Sequence, residues 1–212
     1  RNHKIIDNTG YLASRTLASG MQAGVTSPAR PWKRLSTPDP ELAEFGAVRE
    51  WLDVVDQRMS TFFLRSNLYN VLPTAYGDLG VFGTAAILMD KDMDTVSRFQ
   101  SFPVGSYRIA KDSRGQVNVF YREFRMTVRQ LVNTFAKGEG GMVDMSIFSR
   151  QVLELYNNGN YETWIDVAHV IQPNEDYNAR KLSSKFKKFQ SCYFEIGCSE
   201  SGDEAKYLRE SG

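Results

Sequence analysis

The sequence predicts an α+β fold: helices first, including one long helix, then a mostly antiparallel sheet with an inserted short helix. Three observations carry that expectation. Apolar residues from Phe45 to Phe62 recur in steps of three and four, the helical period. Beyond residue 84 the chain turns to short runs of β-branched and aromatic residues separated by turn residues. No internal repeat or low-complexity tract disturbs this division. The expected organisation is a helical segment over residues 1–72 and a mixed region over 73–212.

The first element is a helix over residues 5–25. Asp7, Asn8 and Thr9 offer oxygens for the unpaired N–H groups of its first turn, and Leu17, Met21 and Val25 recur every four residues. Gly20 and Gly24 lower its helix propensity, which implies that another backbone packs close to them. Pro28, Pro31 and Pro38 then bar helix. Asp39-Pro40 supplies a cap and a first-turn proline for a second helix running to about Leu72, on the order of 50 Å at 1.5 Å per residue. Its stripe is Leu42, Phe45, Val48, Leu52, Val55, Met59, Phe62 or Phe63, and Tyr69.

Past Pro73, the series Gly77, Gly80 and Gly83 reads as turn-rich connection. Extended segments follow at 84–90 and 96–107, then a hairpin turn at 111–115 and a return strand at 117–125. Residues 126–136 form the inserted helix, with Thr127 as cap and Leu131, Val132 and Phe135 on one face. A glycine loop is expected at 137–141, and strands at 151–156, 163–171 and 193–197.

Composition narrows the function. The 212 residues are 42% hydrophobic and 24% charged, as in an ordinary globular protein of one large or two small domains. Lys+Arg is 26 and Asp+Glu 25, so a net charge of +1 excludes a protein that holds nucleic acid by bulk positive charge. No apolar run approaches the roughly 20 residues that span a bilayer. Two cysteines are too few for a disulfide scaffold. The chain opens on Arg1 and ends in Glu-Ser-Gly, and both ends read as cuts in a longer protein.

Catalytic chemistry finds little support. His3 lies near the start, and His169 alternates with Ile165, Val167 and Ile171 on an apolar strand face, as a buried histidine does. Asp166 points to the other face and cannot orient it. No G-x-S-x-G elbow occurs. Cys192 and Cys198 lack the second pair and the histidines of a zinc site. Asp90, Asp92 and Asp94 open like a calcium loop, but Thr95 and Ser101 stand where glycine and glutamate belong. The glycine series matches neither a phosphate loop nor a dinucleotide fingerprint. The expectation is no catalytic residue, no metal and no cofactor. The one dense positive run, Arg180, Lys181, Lys185, Lys187 and Lys188, is a candidate phosphate contact or an ordinary solvated surface.

Five blocks carry a resemblance: LASGMQAGVTSPARPW at 17–32, REWLDVVDQRM at 49–59, SNLYNVLPTAYGDLGVFGTAAILMD at 66–90, GQVNVFYREFRMTVRQLV at 115–132 and VAHVIQPN at 167–174. In this order and spacing they resemble the portal (head-to-tail connector) proteins of short-tailed bacteriophages. Lys33-Arg34 departs from the aromatic or apolar continuation expected after Trp32. The stretch 204–212 looks like the start of a further family segment.

The resemblance implies a structural subunit of a homo-oligomeric ring, commonly dodecameric, at one capsid vertex. Double-stranded DNA passes through such a ring during packaging and ejection without being tightly bound. The implied partners are the terminase packaging motor, tail or adaptor proteins, and capsid and scaffold proteins, with no membrane. The implied location is the virion, after assembly in the host bacterial cytoplasm. This chain would supply much of a wing-like region, with channel helices and a motor-facing clip coming from the remainder. Trp32, Phe45, Trp51 and Met59 are the candidate packing or subunit-interface residues. The alternatives are a nucleic-acid-handling enzyme fragment, using the basic run for phosphates and Asp90–Asp94 for a metal, and a virion adaptor or collar protein that binds a portal.

Overall fold

The computed structural model describes residues 7–92, 94–136, 143–197 and 207–211. The chain forms two compact units, Arg1–Val104 and Gly105–Gly212. The unit boundary therefore groups the first two strands with the helices.

The first unit holds α1 (Thr9–Val25), α2 (Pro40–Glu44), α3 (Gly46–Arg65), α4 (Leu68–Phe82) and a hairpin of β1 (Ala86–Asp92) and β2 (Val96–Phe102). Helix α1 starts where its cap residues stand, with Asp7 Oδ1 accepting the Thr9 N–H at 3.1 Å. The expected earlier start at residues 5 and 6 lies outside the described residues. Gly20 and Gly24 face open space, so the close approach expected there is absent. It occurs at Gly80, where a Cβ would fall 2.9 Å from Leu17 Cδ2.

The single long helix is not formed. Asp39 caps it as expected, accepting from the Glu41 N–H at 3.0 Å. The chain then breaks at Phe45, whose ψ of 120° is extended, and at Ser66, whose ψ is 174°. At the second break the Ser66 hydroxyl donates to Phe63 O at 2.9 Å and accepts from the Leu68 N–H at 3.3 Å, and a tertiary contact joins these local bonds. Asn67 turns its amide onto the backbone of Phe99 in β2, donating to the carbonyl and accepting from the N–H, each at 2.7 Å. An uninterrupted helix would carry that amide away from β2.

The stretch expected to be turn-rich is helical instead. Pro73 lies inside α4, and only Gly83, at φ 73°, ends the helix. A proline at this point leaves the carbonyl four residues back, Tyr69, without its helical donor. Gln22 of α1 supplies one, its Nε2 donating to Tyr69 O at 3.0 Å. Thr26 and Tyr76 add a hydroxyl pair at 2.9 Å between the same two helices.

The second unit is a five-stranded antiparallel sheet in the order β3 (Tyr107–Lys111), β4 (Val117–Thr127), β5 (Trp164–Pro173), β6 (Phe189–Glu195) and β7 (Tyr207–Ser211). The extended segment expected over 96–107 is thus the end of one hairpin and the start of this sheet. Between β4 and β5 lie α5 (Val128–Phe135) and α6 (Arg150–Asn157). Helix α5 carries a full capping box between Thr127 and Gln130.

Helix α6 replaces a strand expected at 151–156. Ser149 caps it through the Val152 N–H, and Val152, Leu155 and Tyr156 stand three and four apart against the core. The short apolar run fits either period, and the cap decides for helix. The core gathers Val128, Leu131, Val132, Phe135, Phe148, Val152, Ile165, Val167 and Leu208. The expected strand at 193–197 begins earlier, at Phe189. The glycine loop at 137–141 lies outside the described residues.

Candidate interaction surfaces

The four residues chosen for packing differ in their surroundings. Trp32 stacks on Phe63, with centroids 6.0 Å apart, and donates its indole N–H to the Tyr69 hydroxyl at 3.0 Å. The adjoining Lys33, out of place in the family pattern, pairs with Asp56 Oδ1 at 2.8 Å and also donates to the Asp56 carbonyl at 3.0 Å. Its charge is satisfied on α3, so the basic continuation is compatible with the Trp32 stack. Met59 is half-buried on the same helix. Trp32, itself 37% exposed, makes both of its contacts within the unit, whereas Phe45 and Trp51 are 62% and 64% exposed. Helix α3 has no buried residue at all, and its Val54 and Leu64 are exposed as well.

The five cations of the basic run lie on the connection between β5 and β6, and all are exposed. The connection is ordered by backbone bonds. Asn174 N–H donates to Lys188 O at 3.0 Å and Asn178 N–H to Phe186 O at 3.1 Å. The Asn174 side chain donates to the carbonyls of Lys185 and Lys187 at 2.7 and 3.0 Å. Lys181 Nζ sits 4.0 Å from the Phe186 ring centroid and Lys188 Nζ 5.6 Å from that of Phe189. None of the five belongs to an ion pair among the described residues.

His169 is buried, as its strand face required. Arg122 Nε–H donates to its Nδ1 at 3.2 Å, which leaves the ring proton on Nε2, 2.9 Å from Ser191 Oγ. The ring stacks on Tyr193 with centroids 4.0 Å apart. Asp166 lies on the other face, paired with Arg125 at 2.7 Å. The aspartates of the β1–β2 hairpin serve the turn: Asp92 Oδ2 accepts from the Thr95 N–H and hydroxyl at 3.0 and 2.6 Å. No group of three or more His, Cys, Asp or Glu side chains converges among the described residues. Cys192 is buried in β6, while His3 and Cys198 lie outside the described residues.

Two carboxylates have electrostatic consequences on the surface. The Tyr121 phenol donates to Glu123 Oε1 at 2.6 Å, and this bond, with smaller help from burial and from the carboxylate charge, raises its pKa above 10.0. Asp144 accepts from the Ser146 hydroxyl and N–H, which lowers its pKa below the ordinary 3.8.

Sequence reasoning missed Gln22 and Asn67, the two side chains that join elements of the first unit. Asn67 follows a serine in a polar interruption of the stripe, and that Ser-Asn pair was the available signal.

The model of the family described as bacteriophage head to tail connecting protein matches residues 1–212. The portal protein of Salmonella phage epsilon15 is 47% identical over 212 residues, which is 100% of this chain and 36% of that protein. The probable portal protein of Bordetella phage BPP-1 is 43% identical over the same 212 residues, again 100% of this chain and 36% of the relative. The chain thus spans about a third of the length of these relatives.

Proposed function

The chain belongs to the family of bacteriophage head to tail connecting proteins, and from that premise we propose that it is a structural segment of a portal subunit. In this reading the subunit forms a ring at the capsid vertex, and DNA enters and leaves the head through it. The single observation that carries the reading is the family match along the whole chain, reinforced by the epsilon15 portal protein at 47% identity.

The rest of the surface is consistent with it. Apolar side chains such as Phe45 and Trp51 stand exposed in the first unit, as expected of a piece that is covered in an assembly. The balanced charge of +1 suits a conduit, since a strongly basic wall would hold phosphates against translocation. No helix among the described residues is long and apolar enough to cross a membrane. The proposed role is structural rather than enzymatic, with ATP hydrolysis left to the terminase motor. Terminase, tail or adaptor proteins, and capsid and scaffold proteins are the proposed partners, in the virion after assembly in the host cytoplasm. A dodecamer is the proposed ring.

The test is negative-stain microscopy of the full-length protein. Closed rings with a central hole, formed by this protein alone, are the expected result. A monodisperse monomer under conditions where the protein is folded, or a ring that appears only on an added portal, would overturn the reading.

A further inference from the structure

The connection between β5 and β6 concentrates charge that the rest of the chain lacks. Residues 174–188 contain five cations against Glu175 and Asp176, a net +3 within a chain whose total is +1. The remainder is therefore net −2 by subtraction over the same sequence. The cations are held out on an ordered strip, because the carbonyls of Lys185, Phe186, Lys187 and Lys188 are each bonded to Asn174 or Asn178. No ion pair among the described residues neutralises them.

The residue types point to a partner class. Four of the five cations are lysines, which act as mobile point charges rather than as the planar fork with which arginine grips an individual carboxylate or phosphate. Lysine is also depleted at protein–protein interfaces, where arginine and aromatics dominate. Here the aromatic rings of Phe186 and Phe189 sit under Lys181 and Lys188. An evenly charged polyanion such as a nucleic-acid backbone matches a strip of flexible ammonium groups better than a folded acidic surface does.

We propose that this loop is a contact for the phosphate backbone of double-stranded DNA, weak, independent of sequence and sensitive to salt. The choice of duplex DNA deepens the portal reading and rests on it. Five surface cations give a contact that forms and breaks readily, which reconciles a basic loop with a conduit of balanced charge. Non-specific contacts of this kind typically have a Kd of about 10⁻⁴ to 10⁻⁶ M.

The test uses the full-length protein and a random duplex of about 30 base pairs, in about 50 mM KCl, where phosphate contacts are strong. Amine acetylation is mapped by mass spectrometry with and without the duplex. Lys181, Lys185, Lys187 and Lys188 are expected to be protected at least about threefold, with Lys91 and Lys111 unchanged and protection lost at high salt. Fluorescence anisotropy of the variant carrying R180Q, K181Q, K185Q, K187Q and K188Q should show affinity reduced by about tenfold or more. Its plot of log K against log salt should be shallower by up to about 4.5, near 0.9 for each lost phosphate contact. Unprotected lysines in the wild-type protein overturn the proposal whether or not the variant folds. So does protection by poly-glutamate but not by DNA, which would assign the loop to an acidic polypeptide. Rings imaged in the same samples keep the two readings apart. Rings without lysine protection sink the loop assignment alone, and lysine protection without rings sinks the portal reading alone.

Discussion

Gln22 and Pro73 form a compensating pair that single-residue reasoning does not see. The proline removes the donor for Tyr69 O, and the glutamine amide replaces it at 3.0 Å. In the wild-type protein, Gln22→Ala should destabilise the first unit by about 1–2 kcal/mol, since it leaves a half-buried carbonyl unpaired. In a Pro73→Ala background the helix regains its own N–H, and the same substitution should have almost no effect. Urea denaturation followed by tryptophan fluorescence measures both; an equal loss in the two backgrounds would refute the coupling. Tyr121 offers a second test at this scale. Its hydrogen bond to Glu123 holds the phenol proton, so the folded pKa lies above the unfolded value of about 10. The associated stability is present below pH 10 and is lost as pH rises through the folded pKa. Because the pair is exposed, absorbance at alkaline pH is the right readout rather than unfolding. Glu123→Gln should bring one tyrosine back toward the ordinary range, and an unchanged titration would contradict the assignment.

The elements divide by what formed them. Where local signals were complete, they were legible: the Thr127 cap of α5, the 111–115 turn between β3 and β4, and the apolar alternation that buries His169. Where a distant partner decided, they were not. The stripe from Val48 to Phe62 does form a helix, but the chain leaves it at Ser66, beside Asn67, whose partner Phe99 is far along the chain. Pro73 reads as a stop until Gln22 is placed beside it. Asn67→Ala should therefore release α4 from β2 at about 2–3 kcal/mol, the scale of two backbone hydrogen bonds and their desolvated ends. Asn67→Asp keeps the acceptor for the Phe99 N–H but opposes the carbonyl, so it should not rescue. A loss below about 0.5 kcal/mol for Asn67→Ala, as for a typical surface change, would show that the junction is held elsewhere. The candidate surfaces follow the same division. Sequence selected Trp32, Phe45, Trp51 and Met59 as one group, because neither residue type nor period tells a residue with partners in its own unit from one left exposed.

At the scale of the whole molecule, the two units differ in how they spend their apolar residues. The second encloses a contiguous core that includes fully buried Phe148, Leu131 and Val152. The first buries little beyond Ala18, Leu68, Ala75, Phe99 and Phe102, while Phe45, Trp51, Leu64 and Phe82 are each at least 60% exposed. The chain spans about a third of its relatives, and under the proposed portal function either other parts of a longer subunit or a neighbour in the ring would cover these side chains. Trp51 separates the possibilities. A tryptophan buried at the centre of an interface is worth about 2 kcal/mol or more, roughly thirtyfold in association. If a neighbouring subunit covers it, Trp51→Ala in the full-length protein should leave the unfolding midpoint of the monomer unchanged and move sedimentation from ring to monomer. If its own subunit covers it, the midpoint falls first and assembly fails only as folding does. Trp32→Ala is the internal reference, because its stack on Phe63 and its bond to Tyr69 lie within one unit. That variant should lower the midpoint. We expect Trp51→Ala to weaken the ring at unchanged monomer stability, and intact rings at the same protein concentration would remove Trp51 from the subunit interface.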